Sequence, residues 1–234
     1  MAHYPENSLE GMESALRIGT PYVECDIQCS ADRRLVLYHD PSLRRTSGVD
    51  GEIFDNRFKQ LSNFSAGGEE RFGNRFSAVS IPLLSQLVQL VHEYPDSSLL
   101  AEIKIECIVR FGLKPVMEQL FLELMPIRER CIVISLHYPA LLFVREQRVH
   151  YRCGWVLDEY GANQQQSAEQ LSPELLIGNR DLLTPATQLW PGPWQWMVYE
   201  VNDPAQALAY AAAGIELVET ADALSMLSHP LLMG

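Results

Sequence analysis

Short apolar runs rich in β-branched and aromatic residues alternate along this chain with segments of helical spacing, and that alternation limits the fold more than any single motif does. Strand followed by helix, repeated, builds a parallel sheet covered by helices. Strands are expected at residues 22–29, 35–39, 99–105, 131–136, 151–156, 175–177, 196–201 and 215–219. Helices are expected at 83–93, 113–124, 139–147, 205–213 and 223–227, the alanine-rich 205–213 being strongest by propensity. The first helix is read from Asn7 as its cap, Glu10 three residues on, Leu9, Met12 and Leu16 at helical spacing, and Gly19 at its end. With 234 residues and 47% apolar content, the chain can bury one sizeable core, and its length suits a single α/β barrel domain over 1–234. Residues 41–80, with Gly48, Gly51, Gly67, Gly68 and Gly73, break the rhythm and are too long for an ordinary connection.

The formal charge of -12 argues against nucleic acid or an anionic membrane as a partner, since most of the surface would repel either. Any anionic ligand has to be held locally. The five cysteines, Cys25, Cys29, Cys107, Cys131 and Cys153, lie in apolar runs without zinc-like spacing and read as buried reduced thiols in a reducing compartment. No basic-then-apolar leader pattern and no apolar run of about 18 residues is seen. The expectation is a cytoplasmic protein without membrane insertion.

Two carboxylates and a histidine stand in strand-like surroundings between Val23 and Asp40. Glu24 and Asp26 are two residues apart, so both side chains leave the same face of a strand. Hard oxygen donors of this kind suit one divalent cation, Mg²⁺ or Ca²⁺. The spacing alone also fits two solvent-facing acids on an edge strand. His39 closes the run Leu35-Val36-Leu37-Tyr38, a position for a proton-transfer group, and Asp40 can orient that imidazole or cap the following turn. Glu102 and Lys104 are again two apart. An acid and a lysine directed into a core are costly unless they bind something, although a salt bridge between Lys104 and Glu102 or Glu106 would also satisfy them.

Taken in order, Pro5-Glu6-Asn7, Glu24-Cys25-Asp26, His39-Asp40 and Glu102-Ile103-Lys104 resemble the glycerophosphodiester phosphodiesterase family, whose pattern runs His-Arg-Gly, Pro-Glu-Asn, Glu-x-Asp, His-Asp, Glu-x-Lys. Val198 to Asp203 looks like the family's late strand, usually Trp-Thr-Val-Asn, and Gly214 to Thr220 like its last one. The likeness covers nearly the whole chain, and the ordered set is more specific than any of its parts. It implies a TIM (β/α)₈ barrel with 41–80 as an insertion or lid near the second strand. It implies metal-dependent hydrolysis of a small-molecule glycerophosphodiester to glycerol 3-phosphate and an alcohol, within lipid metabolism. Glu24, Asp26 and Glu102 would be the metal ligands and His39 one of two proton-transferring histidines. Lys104 would contact a phosphoryl oxygen. Glu6, His137 and Glu159 are candidates for the pocket, and Tyr199 stands where the family usually has tryptophan, as a wall beside the alcohol. His3, His92, His150 and His229 read as surface residues. Two rival readings are a non-catalytic phosphodiester-binding barrel and a related lyase or phospholipase that leaves a cyclic phosphate.

The pattern breaks at its start. Pro5 leaves no room for a strand ending in His-Arg-Gly, so the first strand, the first histidine and its arginine are expected to be missing, with activity impaired. The preferred explanation is a start assigned at an internal methionine. Restoring such a strand upstream is expected to raise phosphodiesterase activity by orders of magnitude.

Overall fold

The structure, a computed structural model, describes residues 2–147 and 150–232. Met1 and residues 233–234, the ends of the expected 1–234 domain, lie outside the described residues. The chain divides into two compact units, residues 1–132 and 133–234.

In the first unit, α1 (Leu9–Arg17) leads into β1 (Tyr22–Cys29) and β2 (Leu35–Leu37). No strand precedes α1 among the described residues. Ser8, not Asn7, caps α1, its hydroxyl accepting from Gly11 N at 3.2 Å. Asn7 is turned away at φ 53° and used elsewhere. β1 pairs antiparallel with β2, Ile27 opposite Leu37. On its other side β1 pairs parallel with β3 (Ser98–Ile103), in a register that sets Glu24 beside Leu100 and Asp26 beside Glu102. Most of β1 is buried, Asp26 included and Glu24 half-buried, as expected of a strand covered on both faces.

The run expected as one strand at 99–105 stops at Ile103. Lys104 keeps an extended backbone and starts α6 (Ile105–Phe111), preceded in the chain by α2 (Arg44–Ser47), α3 (Phe58–Leu61), α4 (Glu69–Phe72) and α5 (Leu84–His92). The three short helices α2 to α4 and two single turns of 3-10 helix make up the 41–80 insertion, which contains no strand. A side chain at Gly67 would collide with the carbonyl of Phe76, so close backbone approach fixes that glycine. In α5, Leu84, Leu87, Val88 and Val91 are buried at the spacing of one helical face. α7 (Leu113–Leu124) buries Val116, Met117, Leu120, Phe121 and Leu124. Beyond it, Arg130 donates to the carbonyls of Val91, Tyr94 and Ser97, satisfying acceptors left open where α5 ends.

Cys29 and Cys107 are joined as a disulfide between the end of β1 and α6, which corrects the expectation of five thiols. Cys25, Cys131 and Cys153 remain free and buried.

The strand β4 (Cys131–Ser135) spans the boundary between the units. In the second unit, α8 (Tyr138–Arg145), β5 (Arg152–Leu157), α9 (Ala162–Leu171), β6 (Leu175–Asn179), β7 (Gln195–Tyr199), α10 (Pro204–Ala212), β8 (Leu217–Val218) and α11 (Ala223–Leu227) follow in order. β5 to β8 pair in parallel, each with the next. α9 has no counterpart among the expected helices. Its sequence is mostly glutamine and small polar residues, and only Ala168 and Leu171 are buried, too few to show a period. None of the described helices is long and apolar enough to cross a membrane.

The insertion is tied down through Asp32 in the β1–β2 turn, whose Oδ1 accepts from Ser30 Oγ at 2.7 Å and from Phe58 N, at the start of α3, at 2.8 Å. Slight burial would raise the pKa of this carboxyl, but the Phe58 amide and the Ser30 hydroxyl outweigh it and lower that pKa. A carboxyl more acidic folded than unfolded lends its support above the unfolded pKa and loses it as pH falls through the folded one. Limited proteolysis within 41–80 should therefore accelerate below about pH 4 in the wild type. Asp32→Ala should already be fast at pH 7 and show little further change; equal rates for the two proteins at pH 7 would contradict the tether.

Candidate metal and phosphate site

The register of β1 against β3 creates the centre of the site. Neighbouring strands lie about 4.8 Å apart, and residues side by side in a parallel pair project to the same face, so Asp26 and Glu102 are brought together by the backbone alone. Glu24, two residues back on β1, shares that face. One carboxylate oxygen from each of the three lies within 4.8 Å of the others. Lys104 closes the group, its Nζ 2.9 Å from Asp26 Oδ1 and 3.0 Å from Glu102 Oε1.

These charges are well removed from water: the side chains of Asp26, Glu102 and Lys104 are only 11%, 13% and 11% exposed. Burial raises the pKa of Glu102, with Lys104 acting against that rise and Asp26 adding to it. Burial alone would lower the pKa of Lys104, but the attraction of Asp26 and Glu102 prevails and holds it above its ordinary value. Lys104 is thus a fixed cation. Three carboxylates converge here with one ammonium, and an all-oxygen acidic set of this kind fits one hard divalent cation. The salt-bridge alternative and the ligand alternative for Lys104 coexist in this geometry.

Asn7, expected as a helix cap, instead supports Asp26. Its side-chain amide donates to Asp26 Oδ2 at 2.8 Å, and its side-chain carbonyl accepts from Asp26 N at 2.9 Å. The left-handed backbone at Asn7, which asparagine tolerates better than most residues, aims it at β1. A buried carboxylate held by two groups keeps one orientation. The Pro-Glu-Asn spacing marked this residue, but only the fold shows which partner it takes.

His39 follows β2, its side chain about half exposed, with Nδ1 2.6 Å from Asp40 Oδ1. Two bonds fix the segment around it to β1: Tyr38 N donates to Asp26 O at 3.0 Å and Gln28 Nε2 to His39 O at 3.2 Å. Gln28 is fully buried and shares the face of Glu24 and Asp26; nothing in the sequence had singled it out. Glu6 presents both carboxylate oxygens to Arg45, at 2.8 and 2.6 Å. A cavity of about 320 Å³ lies beside them, with Thr46, Gly68, Arg71 and Phe72 of the insertion in its wall.

The remaining candidates belong to the second unit. His137 precedes α8, its backbone N–H donating to Ser135 Oγ at 3.0 Å, and burial lowers its pKa. Tyr199 ends β7 and is half-buried. Glu159 accepts from Gln164 Nε2 at 2.8 Å.

Comparison with known proteins accords with this geometry. The sequence model of the glycerophosphoryl diester phosphodiesterase family matches residues 1–222. A glycerophosphodiester phosphodiesterase of Bacillus altitudinis is 32% identical over 63% of this chain and 59% of its own length. One from Caldanaerobacter subterraneus is 27% identical over 65% of this chain and 63% of its own length. The aligned stretches thus span less than two thirds of either relative. Among solved structures, a phosphodiesterase of Oleispira antarctica in complex with the product sn-glycerol-3-phosphate superposes with a TM-score of 0.82, at 21% identity, covering 96% of this chain and 91% of that one. A glycerophosphodiester phosphodiesterase of Thermotoga maritima gives 0.69 at 23% identity, covering 97% and 92%. At these identities the structural likeness establishes the fold, an α/β barrel of the phosphodiesterase type.

Asn7→Gly tests the support of Asp26, because glycine accepts the positive φ and removes only the two bonds. It should lower unfolding free energy in urea by about 2 kcal/mol, the cost of leaving a buried amide and carboxylate short of partners. A loss below about 0.5 kcal/mol would show that Asp26 does not depend on Asn7.

Proposed function

The chain belongs to the glycerophosphoryl diester phosphodiesterase family, and from that premise we propose that it hydrolyses glycerophosphodiesters, such as glycerophosphocholine, to glycerol 3-phosphate and an alcohol in the turnover of lipid-derived diesters. The observation that carries this reading is the convergence of Glu24, Asp26 and Glu102 with Lys104 on one face of two registered strands. The named activity of the relatives and the product held by the Oleispira antarctica protein support the substrate class.

Glu24, Asp26 and Glu102 would hold one divalent cation, Mg²⁺ or Ca²⁺. Such an ion, when bound, draws charge from the phosphoryl oxygens and lowers the barrier to attack on phosphorus. The chain's own groups do the rest. Lys104, kept protonated by its acidic neighbours, pairs with a phosphoryl oxygen and offsets the negative charge that a phosphodiester adds to an acidic site. Asn7 keeps Asp26 in the orientation in which it serves. His39, with Nδ1 turned to Asp40, has Nε2 available to take a proton from the attacking water or to give one to the departing alkoxide. In the overall step the water oxygen bonds to phosphorus, the phosphorus–oxygen bond to the alcohol breaks, and the alcohol leaves with a proton. His39 is the one histidine of the family pattern present in these 234 residues, as no His-Arg-Gly triplet occurs in them. The role of Tyr199 rests on the family pattern, and that of His137 on its place after a strand end.

Titration calorimetry with Mg²⁺ and Ca²⁺, paired with phosphorus NMR of glycerophosphocholine turnover, tests this reading. Glu24→Ala and Glu102→Ala should each abolish ion binding and turnover while leaving the far-UV circular dichroism unchanged, and wild-type turnover should yield glycerol 3-phosphate directly. Undiminished ion affinity in these variants would refute the ligand assignment, and accumulation of a cyclic phosphate would refute direct hydrolysis.

A further inference from the structure

Arg45 lies in the insertion, outside every motif that the family pattern contributes, yet it makes the most connected set of contacts around His39. Its two terminal nitrogens donate to the two oxygens of Glu6 at 2.8 and 2.6 Å, and its Nε donates to Asp40 Oδ2 at 2.6 Å. The other oxygen of Asp40 lies 2.6 Å from His39 Nδ1. One guanidinium therefore grips the Pro-Glu-Asn loop with its fork and the His-Asp pair with its inner nitrogen, a division that only arginine's planar set of donors allows.

The platform that carries Arg45 is itself fixed to the His39 segment. Arg45 sits on α2, flanked by the buried Leu43 and Thr46. The hydroxyl of Tyr38, next to His39 in the chain, donates to Leu43 O at 3.2 Å and lies 3.1 Å from Ser47 Oγ. The backbone is thus held by Tyr38, and the charge is held by Arg45.

We propose that Arg45 is a positioning residue for His39: by fixing Asp40 Oδ2 it keeps Asp40 Oδ1 on Nδ1 of the imidazole, so that the ring proton stays on Nδ1 and Nε2 is left as the exchanging nitrogen. This rests on the hydrolase reading for its kinetic consequence but not for its structural one. A carboxylate beside one ring nitrogen selects the tautomer of a histidine, and a carboxylate held by one oxygen selects it only while that hold lasts. Glu6 then acts as the counter-charge that holds Arg45 in place, each of its oxygens accepting from Arg45. The side chain of Arg45 is 49% exposed, so the network adds little to stability and its removal should leave the fold intact.

The test compares wild type with Arg45→Gln and Glu6→Gln by nitrogen-15 NMR of histidine-labelled protein, the His39 signals being assigned by their loss in His39→Gln. In wild type the neutral ring should carry its proton on Nδ1. In Arg45→Gln the signals of Nδ1 and Nε2 should move toward each other as both tautomers populate, and Glu6→Gln should move them the same way by less. Circular dichroism and melting temperature should be unchanged in both. For glycerophosphocholine, kcat should fall about tenfold in Arg45→Gln, within the range contributed by one acid–base group, with KM within about twofold. A wild-type ring protonated on Nε2, or wild-type signals in Arg45→Gln, would overturn the proposal whatever the activity. A large rise in KM at unchanged kcat would also overturn it, by making Arg45 a substrate contact. Absence of turnover in wild type would count against the hydrolase reading, while the nitrogen-15 comparison would still decide the role of Arg45.

Discussion

The side-by-side placement of Asp26 and Glu102 on adjacent parallel strands is the constraint on which the first unit's chemistry depends. Two carboxylates a strand spacing apart repel each other, and burial makes that repulsion stronger because little water screens it. The structure answers with Lys104 across both and with Asn7 on Asp26. Glu24 brings a third carboxylate to the same place. Such an arrangement makes sense as a receptor for a small, doubly charged cation, because the ion would offset the repulsion that the fold brings together. A structural salt bridge would need one acid, not three.

Much of this was visible in the sequence, and the reasons for the misses are physical. Period-two spacing put Glu24 with Asp26 and Glu102 with Lys104 on common faces, and ordered motifs joined the two pairs. What spacing within a strand cannot supply is the register between strands, which is what sets Asp26 beside Glu102. Asn7 illustrates the limit of local rules: its type and position suit a helix cap, but Ser8 does that work at no conformational expense, and Asn7 is drawn to a partner 19 residues away. Lys104 was expected inside a strand because the apolar run continues through Ile105, whereas in the fold that run turns a corner and its last residue opens a helix. The polar α9 left no periodic trace. Cys29 and Cys107, 78 residues apart, could not be paired by counting.

The charged groups around His39 and those around Asp26 divide the labour differently. Asp26, Glu102 and Lys104 are shielded from water, where each contact is strong and each unpaired charge costly. Arg45, Glu6 and Asp40 lie nearer the solvent, where ion pairs contribute little to stability but can still choose among orientations of a neighbouring ring. On the proposed reading, buried charge would set affinity for cation and phosphate, and partly exposed charge would set the geometry of proton transfer. Both sets are anchored to β1, through Asp26 itself and through the bonds that Asp26 O and Gln28 make to Tyr38 and His39.

The central claim is that carboxylates from two registered strands share one ion. Anomalous X-ray diffraction from a crystal soaked in Mn²⁺ reads it most directly. The account predicts one strong peak with an oxygen from each of Glu24, Asp26 and Glu102 at about 2.0–2.6 Å, the range of hard divalent ions. A peak held by only one of the three, or by acids elsewhere on the surface, would contradict it.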